Sequence, residues 1–224
     1  MSESFYQAAG VEATLQRVDE GVYSTRYQQE KNACIERLLA RVALQGRDVL
    51  EVGCGAGAWT DRLLDLGANV TAFDIRSHLV DAARARIAAR GDASTARLLC
   101  GSLETLELGT ACYDLVFLKD VIEHVEDDID MLRSLRGMLR PGGTLFLSTQ
   151  NSRSPNFLLE AFWERVCKRN HQWMGWDETH LRFYTPRSLY RLFAATGFSV
   201  LHRNAAYFIP YRWFAGRLRR PHWE

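Results

Sequence analysis

Val49-Leu50-Glu51-Val52-Gly53-Cys54-Gly55-Ala56-Gly57-Ala58-Trp59-Thr60 reads as an apolar strand, a glycine loop and the opening of a helix, with no residue wasted between them. Glycine has no Cβ and tolerates positive φ, so such a loop lets a ligand reach bare backbone at the carboxyl end of a parallel strand. The unpaired amides of the following helix point at the same place and favour an anionic group. The stretch therefore predicts a βαβ-type fold whose first loop binds a nucleotide-like molecule with an anionic tail.

Two ligands fit the loop. Gly53-x-Gly55-x-x-Ala58 matches the looser dinucleotide fingerprint, and Gly53, Gly55 and Gly57 match an S-adenosylmethionine loop. A glycine loop can also be no more than a tight turn. The next predicted strand, residues 69–73, runs into Asp74, about 20 residues beyond the first glycine, where a carboxylate grips a ribose diol. Asp74 alone could equally cap the helix predicted over 77–90. Loop and acid together favour an adenosine-containing ligand.

The pattern continues as alternating elements. Strands are expected at 48–52, 69–73, 96–100, 113–118 and 144–148, with helices at 57–67, 77–90 and 129–139 and a turn at Arg140-Pro141-Gly142-Gly143. Alternation of this kind builds a parallel sheet covered on both faces. Four ordered stretches then carry a family likeness: Leu50-Glu51-Val52-Gly53-Cys54-Gly55-Ala56-Gly57, Tyr113-Asp114-Leu115-Val116, Val121-Ile122-Glu123-His124-Val125 and Leu139-Arg140-Pro141-Gly142-Gly143-Thr144-Leu145. The chain resembles the class I S-adenosylmethionine-dependent methyltransferases, in the branch of the ubiquinone-biosynthesis O-methyltransferases. The resemblance covers residues 46–150 well and 178–200 in part.

That resemblance implies an α/β fold: a doubly wound, Rossmann-like, mostly parallel sheet with an N-terminal helical segment and an inserted helical lid. It implies S-adenosylmethionine as cofactor, with Glu51, Gly53, Cys54, Gly55 and Gly57 facing its methionyl part. Asp74, with Ile75 beside it, would take the ribose. Ser102 and Leu103 would flank the adenine, Ser102 standing where many relatives have an aspartate. Lys119 would line the cofactor through its backbone. In those relatives an N-terminal arginine often meets the methionine carboxylate; Arg26, Lys31 and Arg37 are the candidates here.

With 224 residues, one domain with a real core is expected. We divide it into an N-terminal helical segment (1–45), a cofactor core (46–150), a lid insertion (151–185) and a C-terminal helix, strand and tail (186–224). A net charge of +1 gives no global field for nucleic acid or an acidic partner. The start lacks the basic and apolar regions of a signal peptide, and no apolar run approaches the ~20 residues of a spanning helix. Five cysteines with no CxxC pair suggest a reduced, cytoplasmic setting.

Outside the core, residues 28–43 read as a helix with Ile35, Leu38, Leu39 and Val42 at helical spacing, preceded by Tyr23 and Tyr27. Ser154-Pro155 signals a helix start, and Phe157, Leu158, Leu159, Phe162, Trp163 and Val166 form an apolar stripe. Three of the six tryptophans (163, 173 and 176) fall close together there with Met174, as expected of a lid over an apolar pocket or of an inserted core helix. Thr185-Pro186 opens a helix that Gly197 closes, and residues 198–201 read as a last strand. Residues 207–223, aromatic and arginine-rich, suit weak peripheral contact with an anionic membrane or a solvated tail.

The candidate catalytic residues are Asp120, Glu123, His124 and His180. If helical, Asp120, Glu123 and His124 share a face at i, i+3 and i+4. Their oxygens and imidazole, with His180 from the lid side, suit Mg²⁺ or Mn²⁺. Metal-dependent relatives carry Glu-x-x-Glu-His, where this chain has Asp120 in first place; Glu-His also occurs in metal-free relatives, with the histidine as base or packing group. The leading expectation is O-methylation of a small hydroxyl acceptor, apolar or aromatic, such as a phenol, quinone precursor or natural-product scaffold. N-methylation of an amine or amino sugar, RNA 2′-O-methylation and a non-catalytic cofactor-binding subunit remain alternatives. An NAD-dependent reductase is disfavoured, because the only Tyr-x-x-x-Lys pair, Tyr27 and Lys31, precedes the cofactor loop.

Overall fold

A computed structural model describes residues 11–16, 26–91, 96–173, 175, 177 and 179–206. Tyr23, the side chains of Arg26 and Tyr27, Met174, Trp176 and the basic-aromatic tail lie outside the described residues.

Five strands form one wholly parallel sheet: β1 (Asp48–Val52), β2 (Asn69–Asp74), β3 (Ala96–Cys100), β4 (Tyr113–Lys119) and β5 (Leu139–Ser148), in the order β3-β2-β1-β4-β5. The chain winds outward from β1 to β3, then returns to place β4 on the other side of β1. The crevice where the order reverses opens at the carboxyl ends of β1 and β4, and ligands bind such sheets there. Those ends carry Glu51 and Lys119.

Among the described residues, besides a helical stretch at 11–16, the α-helices are α1 (Arg26–Leu39), α2 (Ala58–Asp65), α3 (Ser77–Ala88), α4 (Asp128–Met138), α5 (Pro155–Phe162) and α6 (Pro186–Ala195). The strands alternate sides, so each supplies two cores. Val49, Val70, Ala72, Leu115 and Phe117 pack with Ile35 and Leu39 of α1, Leu63 of α2 and Ile87 of α3. Leu50, Val52, Phe73, Val116 and Leu118 pack with Leu132 and Leu135 of α4 and partly with Leu189 and Leu192 of α6. Leu50, Leu63, Leu115, Leu118, Leu132 and Leu135 are fully buried, and each contributes about 1.5–3 kcal/mol through its burial. Phe117 joins helix to sheet, with ring centroids 5.3 Å from Trp59 and 4.8 Å from Phe146.

The caps follow the sequence. Ser154 accepts from the Phe157 N–H at the head of α5, and Thr185 and Ser188 form a capping box on α6, each helix having proline in its first turn. The turn at 140–143 bulges out of β5, whose pairing jumps from Tyr113↔Leu139 to Leu115↔Thr144. Two expectations are corrected. Residues 198–201 form no strand; Leu201 lies exposed and offers no inward face to drive pairing. Ile122–His124 is a single 3₁₀ turn, not the start of an α-helix. Among the described residues no helix is long and apolar enough to cross a membrane.

Candidate functional site

The glycine loop divides its work. Gly53 has φ +72°, and a Cβ there would lie 2.6 Å from Val121 Cγ2, so only glycine lets the loop pack on the chain after β4. Gly55 has φ +53° and nothing within 4 Å of a notional Cβ, leaving open space for a ligand against backbone. The loop is pinned by the Gly53 and Cys54 N–H groups, which both donate to Phe73 O at 2.9 Å. Cys54 is buried, and desolvation with the neighbouring Glu51 pushes its thiol above the ordinary range, so it lines the loop as an unreactive group.

Glu51, next to last in β1, is almost fully buried and accepts from Thr60 Oγ1 at 2.5 Å. Burial pushes its carboxyl up to about 8, against the pull of the Thr60 bond and Lys119. It is therefore mostly protonated at pH 7 and can both donate and accept toward the crevice. Asp74 ends β2, and Gly55 N–H donates to its Oδ2 at 3.0 Å. Ile75 is 70% exposed at the rim. Ser102 and Leu103 follow β3 after Gly101, whose N–H donates to Asp74 O at 3.1 Å, and Ser102 N–H donates to Thr105 Oγ1 at 2.9 Å. The expected cofactor residues thus line one connected rim along the carboxyl ends of β1, β2 and β3. An open glycine cradle, a buried diol-sized carboxylate and a neutral acid fit an adenosyl amino acid.

The catalytic candidates divide. Asp120 has φ +54°, in the turn before the 3₁₀ helix, so it does not share a helical face with Glu123 and His124. Its Oδ2 is ion-paired with Lys31 of α1 and with Lys119 at 2.9 Å, and Ser148 Oγ donates to its Oδ1 at 3.1 Å. Against the desolvation of its site, the two lysines hold the carboxyl well below the usual carboxylate range. Asp120 is thus a structural counter-ion rather than a fourth member of the cluster, and that expectation is corrected. Arg37 lies in the last turn of α1, while Lys31 reaches the crevice.

Glu123, His124 and His180 do converge, their ligand atoms all within 4.8 Å of one another. Glu123 Oε2 accepts from Thr149 Oγ1 at 2.9 Å. Desolvation, then the Asp120 charge, raises its carboxyl above the ordinary value. His124 Nδ1 lies 3.2 Å from Thr179 O and 3.0 Å from Thr179 Oγ1, whose own proton goes to Asp177 Oδ1 at 2.6 Å. A carbonyl oxygen only accepts, so Nδ1 carries the proton and the neutral ring keeps its lone pair on Nε2. His180 packs edge-on against His124, centroids 4.7 Å apart, and desolvation followed by the His124 charge lowers its pKa. Glu123 Oε1 and His180 Nδ1 are buried with no hydrogen-bond partner among the described residues. Two such atoms beside the His124 Nε2 make a polar place that water or a ligand would fill.

The segment of residues 151–185 places His180. Leu181 N–H donates to Glu123 O at 2.9 Å, and Asn151 bridges Tyr184, so the returning chain lies on the 3₁₀ turn. Phe157 of α5 packs on Trp173 and Phe183, centroids 5.3 and 5.2 Å away. Thr60, Thr149, Asp177 and Thr179 were not singled out in the sequence. Only Asp177-x-Thr179 had a local signal, an Asx turn in which Thr179 N–H donates to Asp177 Oδ1 at 2.9 Å. A cavity of about 410 Å³ lined by Asp48, Arg97, Tyr113 and Arg140 lies at the amino ends of the strands, away from this site.

Residues 23–203 match the methyltransferase domain family. The ubiquinone biosynthesis O-methyltransferase of Methylocella silvestris is 32% identical over 171 residues, 75% of this chain and 64% of that protein. Its counterpart in Xanthomonas campestris pv. campestris (strain B100) is 38% identical over 126 residues, 56% of this chain and 52% of that protein. The chain thus spans about half to two thirds of these relatives. Among solved structures, an S-adenosylmethionine-dependent methyltransferase from Mesorhizobium loti superposes with TM-score 0.57 at 20% identity over 81% of this chain and 88% of its own. The [4+2]-cyclase SpnF superposes with TM-score 0.62 at 21% identity over 78% and 59%. The same sheet thus hosts a cyclase, so fold alone does not choose the chemistry. What the glycine rim, the parallel sheet and the matched span establish together is membership: the chain belongs to the S-adenosylmethionine-dependent methyltransferases.

Proposed function

We infer that the chain methylates a hydroxyl group on a small apolar or aromatic acceptor. The observation that carries this is the convergence of Glu123, His124 and His180 beneath the lid with two buried polar atoms unpartnered. A hydroxyl acceptor must lose its proton as it attacks, and a positioned base is worth about 10²–10⁴-fold. Bound S-adenosylmethionine supplies an electrophilic methyl on a sulfonium. His124 Nε2 receives the acceptor proton, while Glu123 and His180 orient the acceptor oxygen. Glu51 and the Gly53–Gly57 backbone hold the methionyl part, and Asp74 the ribose. Lys31 and Lys119 share the single charge of Asp120, which leaves a positive spot suited to the methionine carboxylate.

The same three residues could hold a divalent cation, which would lower the pKa of the acceptor hydroxyl. With Asp120 tied to the lysines, the set is one carboxylate and two imidazoles. That suits Mn²⁺ better than Mg²⁺, which prefers oxygen ligands.

The lid favours an apolar acceptor met at a lipid surface. Leu158, Leu159, Phe162, Trp163 and Val166 are exposed, while Glu160 and Glu164 of the same segment are buried. Arg165, Lys168 and Arg169 are exposed beside them, with Lys168 paired to Glu164 at 2.7 Å, so the exposed face is apolar with basic residues along it. Methyl transfer from labelled S-adenosylmethionine into a cell extract, separated into organic-soluble, aqueous and macromolecular pools, tests this. Label in the organic pool is expected; label confined to RNA or protein would overturn it. Activity that survives exhaustive chelation excludes the metal and leaves His124 as the base.

A further inference from the structure

Asp74 is 3% exposed and its carboxylate is fully subscribed. Oδ1 accepts from the Arg76 backbone N–H at 3.0 Å and from Arg76 Nε at 3.1 Å. Oδ2 accepts from the Gly55 N–H at 3.0 Å and from Arg76 Nη2 at 3.4 Å. An ionised carboxylate has about four lone-pair sites, so none is left over. A ribose diol brings two O–H donors and needs one place on each oxygen. The guanidinium fork holds one place on each oxygen. The two backbone donors belong to the glycine loop and to the end of β2 and cannot leave without rebuilding them. The Arg76 side chain is 42% exposed and can swing into water.

We propose that Arg76 is a displaceable counter-ion of Asp74: it stands in for the ribose diol in the empty protein and is expelled when the adenosyl group binds. It does two opposed things. In the empty protein it spares Asp74 from being a buried carboxylate with too few partners, which is costly. In the binding equilibrium it competes with the ribose, weakening the hold on both cofactor and demethylated product and speeding product departure. The proposal rests on Asp74 as the ribose ligand.

The opposed effects make the test sharp. Titration calorimetry with S-adenosylhomocysteine on the full chain compares wild type, Arg76→Ala, Arg76→Gln and Asp74→Ala; thermal melts of the same four proteins without ligand accompany it. Arg76→Ala is expected to melt lower when empty, yet to bind S-adenosylhomocysteine about threefold to tenfold tighter and release it more slowly, the gain expected from removing a half-exposed ion pair. Arg76→Gln, which keeps donors but not the charge, should fall between. Weaker or unchanged binding in both Arg76 variants, with binding lost in Asp74→Ala, would overturn the proposal and make Arg76 a cofactor contact or a bystander. Wild-type binding by Asp74→Ala would instead sink the ribose assignment itself, and the proposal with it.

Discussion

Glu51 entered as a candidate cofactor residue through the family resemblance, and the structure buries it near the end of β1. Its protonation was not legible, since that depends on burial at the switch point. The folded carboxyl titrates near 8 and an unfolded one near the ordinary value of 4.5. The folded state therefore holds a proton that the unfolded chain has lost across that window. The stabilisation is complete below about 4.5 and declines as pH rises toward 8, by up to about 1.4 kcal/mol per pH unit. Glu51→Gln, neutral at every pH, should flatten that decline in urea unfolding of cofactor-free protein between pH 5 and 9; parallel curves for the two proteins would mean that Glu51 is ionised. Asp120 shows the reverse failure. Its spacing to Glu123 and His124 fits an α-helix, but a left-handed residue and one 3₁₀ turn break the register, and two lysines take its charge. The test of what remains is His124→Gln. It should lower kcat by about 10²–10⁴-fold with the affinity for S-adenosylhomocysteine unchanged, because the role proposed for His124 is toward the acceptor. A loss confined to KM would reduce His124 to a binding contact.

At the scale of elements, the α5 segment turns its amphipathicity inside out. The apolar stripe was plain in the sequence, and so was its helix start. Which way the stripe faces was not, because periodicity defines a face without saying what covers it. In the structure Glu160 and Glu164 turn inward and the large apolar side chains outward. An interior role for the stripe would require the opposite. We expect the wild-type protein to float with vesicles containing anionic lipid and much less with neutral vesicles. Leu159→Glu with Phe162→Glu should abolish flotation. Since both side chains are already exposed, thermal stability should stay within about 0.5 kcal/mol per site. Equal flotation of wild type and double variant would remove the lipid-facing role from α5. The failed strand at 198–201 belongs to this scale too. Phe198, Val200 and Leu201 have strand propensity, and Phe198 packs against the core, but Val200 and Leu201 lie exposed and no neighbouring strand pairs with the segment.

For the whole molecule, the doubly wound parallel sheet was legible from the alternation of periods and from one glycine loop at the end of its first strand, whereas the strand order was not. Also not legible is how the flanking segments are tied to that sheet, since those ties are single long-range pairs with no local pattern. Lys31 reaches Asp120 across 89 residues, and Leu181 N–H reaches Glu123 O at 2.9 Å. Through them the N-terminal helix, the core and the lid meet around one crevice, so they should unfold together. We expect a single calorimetric transition whose enthalpy agrees with its van't Hoff value. S-adenosylhomocysteine at about 100 times its Kd should raise the stability of that one transition by about 2.7 kcal/mol, the mass-action limit for a ligand that binds only the folded state. NAD at the same concentration should leave it in place, because the carboxylate that grips its ribose would be the same but no site is proposed for a second nucleotide. Two transitions, with only the upper one shifted by the ligand, would mean that residues 151–185 or α1 fold apart from the sheet, and that His124 and His180 come together only after docking.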